Sequence, residues 1–327
     1  MLGQMMHRDL SIIDILKFAS ENHSLSEVVS LRTEGDMHRY NYTDCLSRVC
    51  KLANALVGLG IKKGDRVATL AWNGYRHLEL YYGISGIGAV CHTINPRLSP
   101  EQMLYIIEHA GDRLLFVDTT FVPIIEKLIP KLPKNLVIIV MASSDDSSTL
   151  SDNFLNYEQL ILESSHDIIW PELPENTAAG LCYTSGTTGN PKGALYSHRS
   201  TVLHALTTSL NLGPSLGDGM KVLPVVPLFH VNAWGLPYAA PLTGTSLIFP
   251  GPNLDGASLF DLMDQENVNS AWGVPTVWLG LLEEIRKQER VPSQFQNVVI
   301  GGSAAPKSMI EEFESLGTVS YTHLRAH

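Results

Sequence analysis

Between Tyr183 and Gly193 the chain reads Tyr-Thr-Ser-Gly-Thr-Thr-Gly-Asn-Pro-Lys-Gly, entered directly from an apolar run, Ala-Ala-Gly-Leu-Cys-Tyr. Gly186, Gly189 and Gly193 let the backbone turn tightly and aim amide N–H groups inward. The hydroxyls of Thr184, Ser185, Thr187 and Thr188 add donors, and Lys192 adds a mobile positive charge. A loop this dense in donors suits a polyphosphate. A merely flexible Ser/Thr/Gly loop would not need the strand before it or Pro-Lys-Gly after it. Nor is it an ordinary P-loop. Counting from Gly186, Pro191 stands where that motif needs its second glycine and Gly193 where it needs a hydroxyl.

Two further stretches invite chemical readings. Gly301-Gly302-Ser303-Ala304-Ala305-Pro306 follows the apolar run Asn-Val-Val-Ile and approaches the nucleophile elbow of a serine hydrolase. Ala305 replaces the last glycine of that pattern, and no acid and histidine follow it in a usable order. Gly83-Ile84-Ser85-Gly86-Ile87-Gly88 does not complete a dinucleotide fingerprint and follows a helical pattern rather than a strand, which predicts close helix packing.

TSGTTGNPKG resembles the phosphate-binding signature of the adenylate-forming superfamily, and the resemblance to its acyl-CoA synthetase branch covers nearly the whole chain. It takes in GDRVATLAWN, HTINPRLSPEQ, PLFHVNAWG, WGVPTV and IGGSAAP. The resemblance implies ATP-dependent activation of a carboxylic acid to acyl-AMP, with loss of pyrophosphate, followed by transfer of the acyl group to CoA. It implies that Thr184 to Gly189 and Lys192 hold the ATP phosphates, with Thr184 also reaching Mg²⁺. Such contacts are worth about 2–4 kcal/mol each in a transition state. It places His230, as catalytic residue, beside the acyl-adenylate, and has Gly301 and Gly302 line the acyl pocket. Ser303, Ala304, Ala305 and Pro306 contact adenine. Trp234 is expected to wall the acid site and limit chain length, the alternative being a core-packing role. Amino-acid-activating relatives carry Asp where His230 stands, so a plain carboxylic acid is favoured over an ammonium-bearing one.

Within the branch, the chain looks like medium- and long-chain fatty acid ligases. AWNGYRHLELYYG and FHVNAWGLPY also look like 3-methylthiopropionate ligases. A non-catalytic nucleotide-binding fragment is the other class of reading, because the family's Gly-x-Thr-Glu motif, ribose aspartate, hinge and C-terminal lysine do not follow. From about Val319 the text VSYTHLRAH no longer looks like the family, and 319–327 is read as a non-native tail.

Composition narrows the partners. The chain has 327 residues, 44% of them hydrophobic and 17% charged, with a net charge of −10. Such a balance argues for a globular enzyme and against nucleic acid or an anionic membrane surface. Four cysteines lack metal or redox spacing and read as free thiols of a reducing compartment. The N-terminus lacks a secretory pattern and no apolar run is long enough to span a bilayer, so a cytoplasmic location is expected. The partners expected are a small carboxylic acid and CoA, with a homodimer left open.

The elements that must position these residues alternate. Thr43 is expected to cap a helix with Leu46, Val49, Leu52, Ala53 and Leu56 on one face. Arg66–Trp72, Ala89–Ile94, Leu114–Val117 and Leu136–Met141 read as buried strands separated by helices, one opened by the capping box Ser99-Pro100-Glu101-Gln102. A second series places strands near 178–184, 193–197, 221–226, 245–249, 269–274 and 297–301. The expectation is an α/β fold: a large N-terminal domain of the adenylate-forming fold, 1–318. Its two subdomains, divided roughly at 43 and 177–200, have mostly parallel sheets covered by helices, and the C-terminal part is missing.

Overall fold

The computed structural model describes residues 1, 3–5, 7–144, 154–184, 190–212 and 215–323. Helix α1 (Ile12–Asn22) precedes the antiparallel pair β1 (Glu27–Leu31) and β2 (Met37–Asn41), then α2 (Tyr42–Gly58). There follow β3 (Arg66–Leu70), α3 (Tyr75–Gly86), β4 (Val90–Thr93), α4 (Pro100–Ala110), β5 (Asp112–Asp118) and α5 (Val122–Leu128). Next come β6 (Val137–Met141), β7 (Leu155–Asn156), α6 (Tyr157–Glu163) and the hairpin β8 (Ala178–Tyr183) and β9 (Gly193–Ser197). The rest is α7 (His198–Asn211), β10 (Lys221–Pro224), α8 (Leu236–Thr243), β11 (Ser246–Phe249), α9 (Gly256–Glu266), β12 (Ser270–Gly273), α10 (Pro275–Gln288), β13 (Asn297–Gly301), α11 (Lys307–Ser315) and β14 (Val319–His323).

The strands form two seven-stranded sheets, ordered β7-β6-β5-β3-β4-β8-β9 and β14-β13-β12-β10-β11-β1-β2. Each is parallel except at one edge, where β9 or β2 runs antiparallel to its neighbour. Central strands such as β4 and β11 are buried along their length, as expected of parallel strands covered on both faces.

Two local expectations are corrected. Strands β8 and β9 belong to the first sheet, through Cys91↔Gly180 and Thr93↔Cys182, rather than to the second series. Conversely, β1 joins the second sheet beside β11. Periodicity reports that a strand is buried, not which neighbour buries it. The cap of α2 is Asn41, whose side chain accepts the Asp44 N–H at 2.9 Å, while the Thr43 hydroxyl donates to Ser20 O at 3.2 Å. Val319–His323 pairs in parallel along β13 at the edge of the second sheet. The capping box at Ser99 and Gln102 is present as read, with Pro100 in the first turn. Gly83 serves close packing, since a Cβ there would lie 2.7 Å from Leu52 Cδ2 on α2.

Candidate active site

Thr184 emerges from the end of β8, and Lys192 leads back into β9. The Thr184 N–H donates to Lys192 O at 2.9 Å, and the Lys192 N–H donates to Thr184 Oγ1 at 3.3 Å. The hairpin therefore closes beneath the donor-rich loop and leaves the Thr184 and Lys192 side chains exposed. Ser185, Gly186, Thr187, Thr188 and Gly189 lie outside the described residues. Behind the loop, the Tyr183 hydroxyl is 2.7 Å from His109 Nδ1, and its ring lies 5.1 Å from that of His92. His92 in turn holds Asp112 at 2.8 Å in the core, where burial pushes the Asp112 carboxyl up.

The segment from Pro227 to Gly235 runs from the carboxyl end of β10 into α8. His230 and Trp234 are both half-buried on it. Its backbone is unusual. Val231, Asn232, Ala233 and Trp234 have φ of 50°, 49°, 46° and 54°, and Gly235 follows at 81°. A left-handed turn of L-residues costs roughly 1–2 kcal/mol per residue, so the surroundings must hold it. They do so through side chains of α3 and of the first sheet. The Tyr81 hydroxyl lies 2.5 Å from Leu228 O and 3.2 Å from Asn232 Oδ1. Cys182 donates to the same Asn232 oxygen at 3.4 Å, and Thr93 donates to Phe229 O at 3.4 Å.

Gly301 ends β13, and Gly302 takes φ of 79° at the turn that follows. A Cβ on Gly302 would lie 3.0 Å from Val274 Cγ1 and 3.9 Å from Trp234 Cζ2, so the indole lies beside this glycine. Ser303, Ala304 and Pro306 are exposed in the loop before α11, and Ala305 packs partly into the second core. Trp272 is buried, its indole N–H donating to Ser270 Oγ at 3.1 Å. Trp278, Leu281, Leu282 and Ile285 face the core as their spacing predicts.

The three constellations therefore meet. Cys182, two residues before Thr184, touches Asn232, two residues after His230; Trp234 on the same turn reaches Gly302. All lie at carboxyl ends of strands, where open α/β sheets place their ligand crevices. Sequence reading missed the supports, Tyr81 and Thr93, and also Asn73, whose amide donates to Pro224 O and Val226 O. Their segments carry the family resemblance, yet a lone Asn, Tyr or Thr has no chemical signature of its own.

The chain is similar to several known proteins. A medium-chain-fatty-acid–CoA ligase of Ectopseudomonas oleovorans is 48% identical over 324 residues, covering 99% of this chain and 59% of that protein. A 3-methylmercaptopropionyl-CoA ligase of Ruegeria pomeroyi is 45% identical, covering 99% of this chain and 60% of that protein. The chain thus spans about three fifths of the length of these relatives. Among solved structures, the anthranilate CoA ligase AuaEII in complex with anthranoyl-AMP superposes with a TM-score of 0.86 at 20% identity, covering 100% of this chain and 62% of that one. The match to the family of AMP-binding enzymes runs over residues 18–324, past Val319, where the motif resemblance stops, and the chain belongs to that family.

Proposed function

We propose that this chain carries the nucleotide- and acid-binding part of an AMP-forming acid–CoA ligase acting on a medium- to long-chain fatty acid. The carrying observation is the meeting of three groups at one set of strand ends: the end of β8 at Cys182–Thr184, the His230–Trp234 turn and Gly302. In the proposed reaction a carboxylate oxygen attacks the α-phosphorus of ATP. A new carboxyl–phosphorus bond forms, the α–β phosphoanhydride bond breaks, and pyrophosphate leaves. The thiolate of CoA then attacks the acyl carbon and AMP departs.

In this reading Lys192 and the loop from Thr184 to Gly189 bind the phosphates. Lys192 is exposed and free to swing toward charge developing there. His230 orients the carboxylate, Gly301, Gly302 and Trp234 line the acid, and Ser303 to Pro306 lie against adenine. Mg²⁺, when bound, would neutralise charge on the phosphates. Thr184 Oγ1 fits as one oxygen ligand, because it only accepts a long hydrogen bond of 3.3 Å and keeps a lone pair. The described residues hold no cluster of three His, Cys, Asp or Glu that could hold a metal ion. No helix of the described residues is long and apolar enough to cross a membrane. A cytoplasmic location and a single adenylation domain, paired or not with a second copy, complete the proposal.

The similarity to a 3-methylmercaptopropionyl-CoA ligase supports a second reading, a short sulfur-bearing acid, at the same site. Calorimetry with acyl-sulfamoyl-adenosines, which mimic acyl-AMP, tests both. Tight binding of medium- and long-chain derivatives supports the first reading, and tight binding of the methylthiopropionyl derivative alone supports the second. Binding of none overturns both.

A further inference from the structure

Asn73 lies just beyond β3, in the first sheet, yet its side chain is bonded to the chain leaving β10, in the second. Its amide donates to Pro224 O at 2.7 Å and to Val226 O at 3.0 Å, and its Oδ1 accepts the Leu228 N–H at 2.7 Å. Its own carbonyl accepts the Gly251 N–H at 3.2 Å, an isolated antiparallel bridge between the two sheets. All three side-chain bonds are buried and Asn73 is 4% exposed.

The position of these bonds is informative. Strand β10 makes its last ladder contact at Pro224↔Trp272, and the Val225 and Val226 N–H groups then both turn to Trp272 O at 2.8 Å. Beyond that point no strand partner directs the chain, and the left-handed turn begins five residues after Val226. Asn73 holds the carbonyls before and after this break, and Tyr81 continues the row at Leu228 O. An amide is the small side chain that can donate twice and accept at once.

We infer that Asn73 is a positioning residue for the acid site, acting through the backbone of Pro224–Leu228 to set His230 and Trp234, an inference that rests on the proposed function. Removing its amide takes the side-chain donor from two buried carbonyls just where the segment leaves the ladder of β10. The adenine side, at Ser303–Pro306, is not touched by these bonds.

The test compares AMP with an acyl-sulfamoyl-adenosine on the full chain, by calorimetry, for Asn73→Ser, His230→Ala and the double variant. Asn73→Ser should weaken the acylated ligand about tenfold, roughly the worth of one hydrogen bond to a charged group, with AMP affinity unchanged. On the His230→Ala background it should cost less than in the parent, because only the share acting through Trp234 remains. Equal losses for both ligands, fully additive losses or no loss would overturn the inference. Should Asn73→Ser not fold, Tyr81→Phe, which removes only the hydroxyl on Leu228 O and Asn232, carries the same expectation and the same refutation. A parental chain that binds neither ligand would instead overturn the proposed function.

Discussion

At the scale of single residues, the clearest consequences concern Trp234 and Asp118. Trp234 lies against Gly302, so Trp234→Ala should open space along the acid and shift preference toward longer acyl chains in the acyl-sulfamoyl-adenosine series. An unchanged chain-length profile would remove the indole from the acid wall. Asp118 is buried at the end of β5 and accepts the Trp72 N–H at 2.7 Å, next to Asn73. Burial pushes its carboxyl up to about 7, against the pull of that hydrogen bond. Between the unfolded value, about 4, and 7 the folded state therefore holds more protons than the unfolded state, and stability falls as pH rises. Asp118→Asn keeps an acceptor for Trp72 and removes the titration. Its stability relative to the parent, from urea unfolding, should rise from pH 4 to pH 7 and then level off; a difference independent of pH would contradict this.

At the scale of elements, left-handed residues end helices as well as shaping the site. Glu289 caps α10 at φ of 52°, exposed to solvent. Glycine adopts that conformation without the Cβ conflict, so Glu289→Gly should raise unfolding free energy by about 1 kcal/mol. A loss of stability in denaturant titration would show that the glutamate side chain contributes more than its strain costs. The boundaries of most helices and strands were legible because caps and apolar runs are local. The box at Ser99 is four residues wide and owes nothing to tertiary context. Helix α1, β1, β2 and α8 escaped reading. α8 carries a proline at position 241 and has no polar face to set a period, while β1 and β2 are short and draw their partners from elsewhere.

At the scale of the molecule, the two sheets are tied by charge as well as by Asn73. Glu79, its side chain fully buried, receives Arg48 at 2.6 Å, Tyr157 at 2.5 Å and Tyr40 at 3.1 Å. Tyr40 stands on the second sheet, whereas Glu79 and Tyr157 stand on helices of the first. Glu79→Ala would leave the partly buried Arg48 guanidinium with Glu158 alone and take the acceptor from the buried Tyr40 and Tyr157 hydroxyls, and should cost about 3 kcal/mol. Urea unfolding followed by both tryptophan fluorescence and circular dichroism should give one shared transition. Two separate transitions in the parent protein would show that the sheets unfold independently, contrary to this picture.

The donor-rich loop, the strand–helix alternation and the family itself were determined by sequence alone, because each depends on residue types at fixed local spacing. The loop needs glycines, hydroxyls and Lys192 within a few positions, and a run of ten such residues states its chemistry without a fold. Tertiary structure alone decided which sheet receives β8 and β9, that Val231–Trp234 turns left-handed, and that Trp234 meets Gly302. It also decided that Asn73, about 150 residues away in sequence from Pro224 and Leu228, holds the segment that leaves β10. Hydrogen bonds across such separations depend on how the sheets pack, and no local pattern of residues encodes that packing.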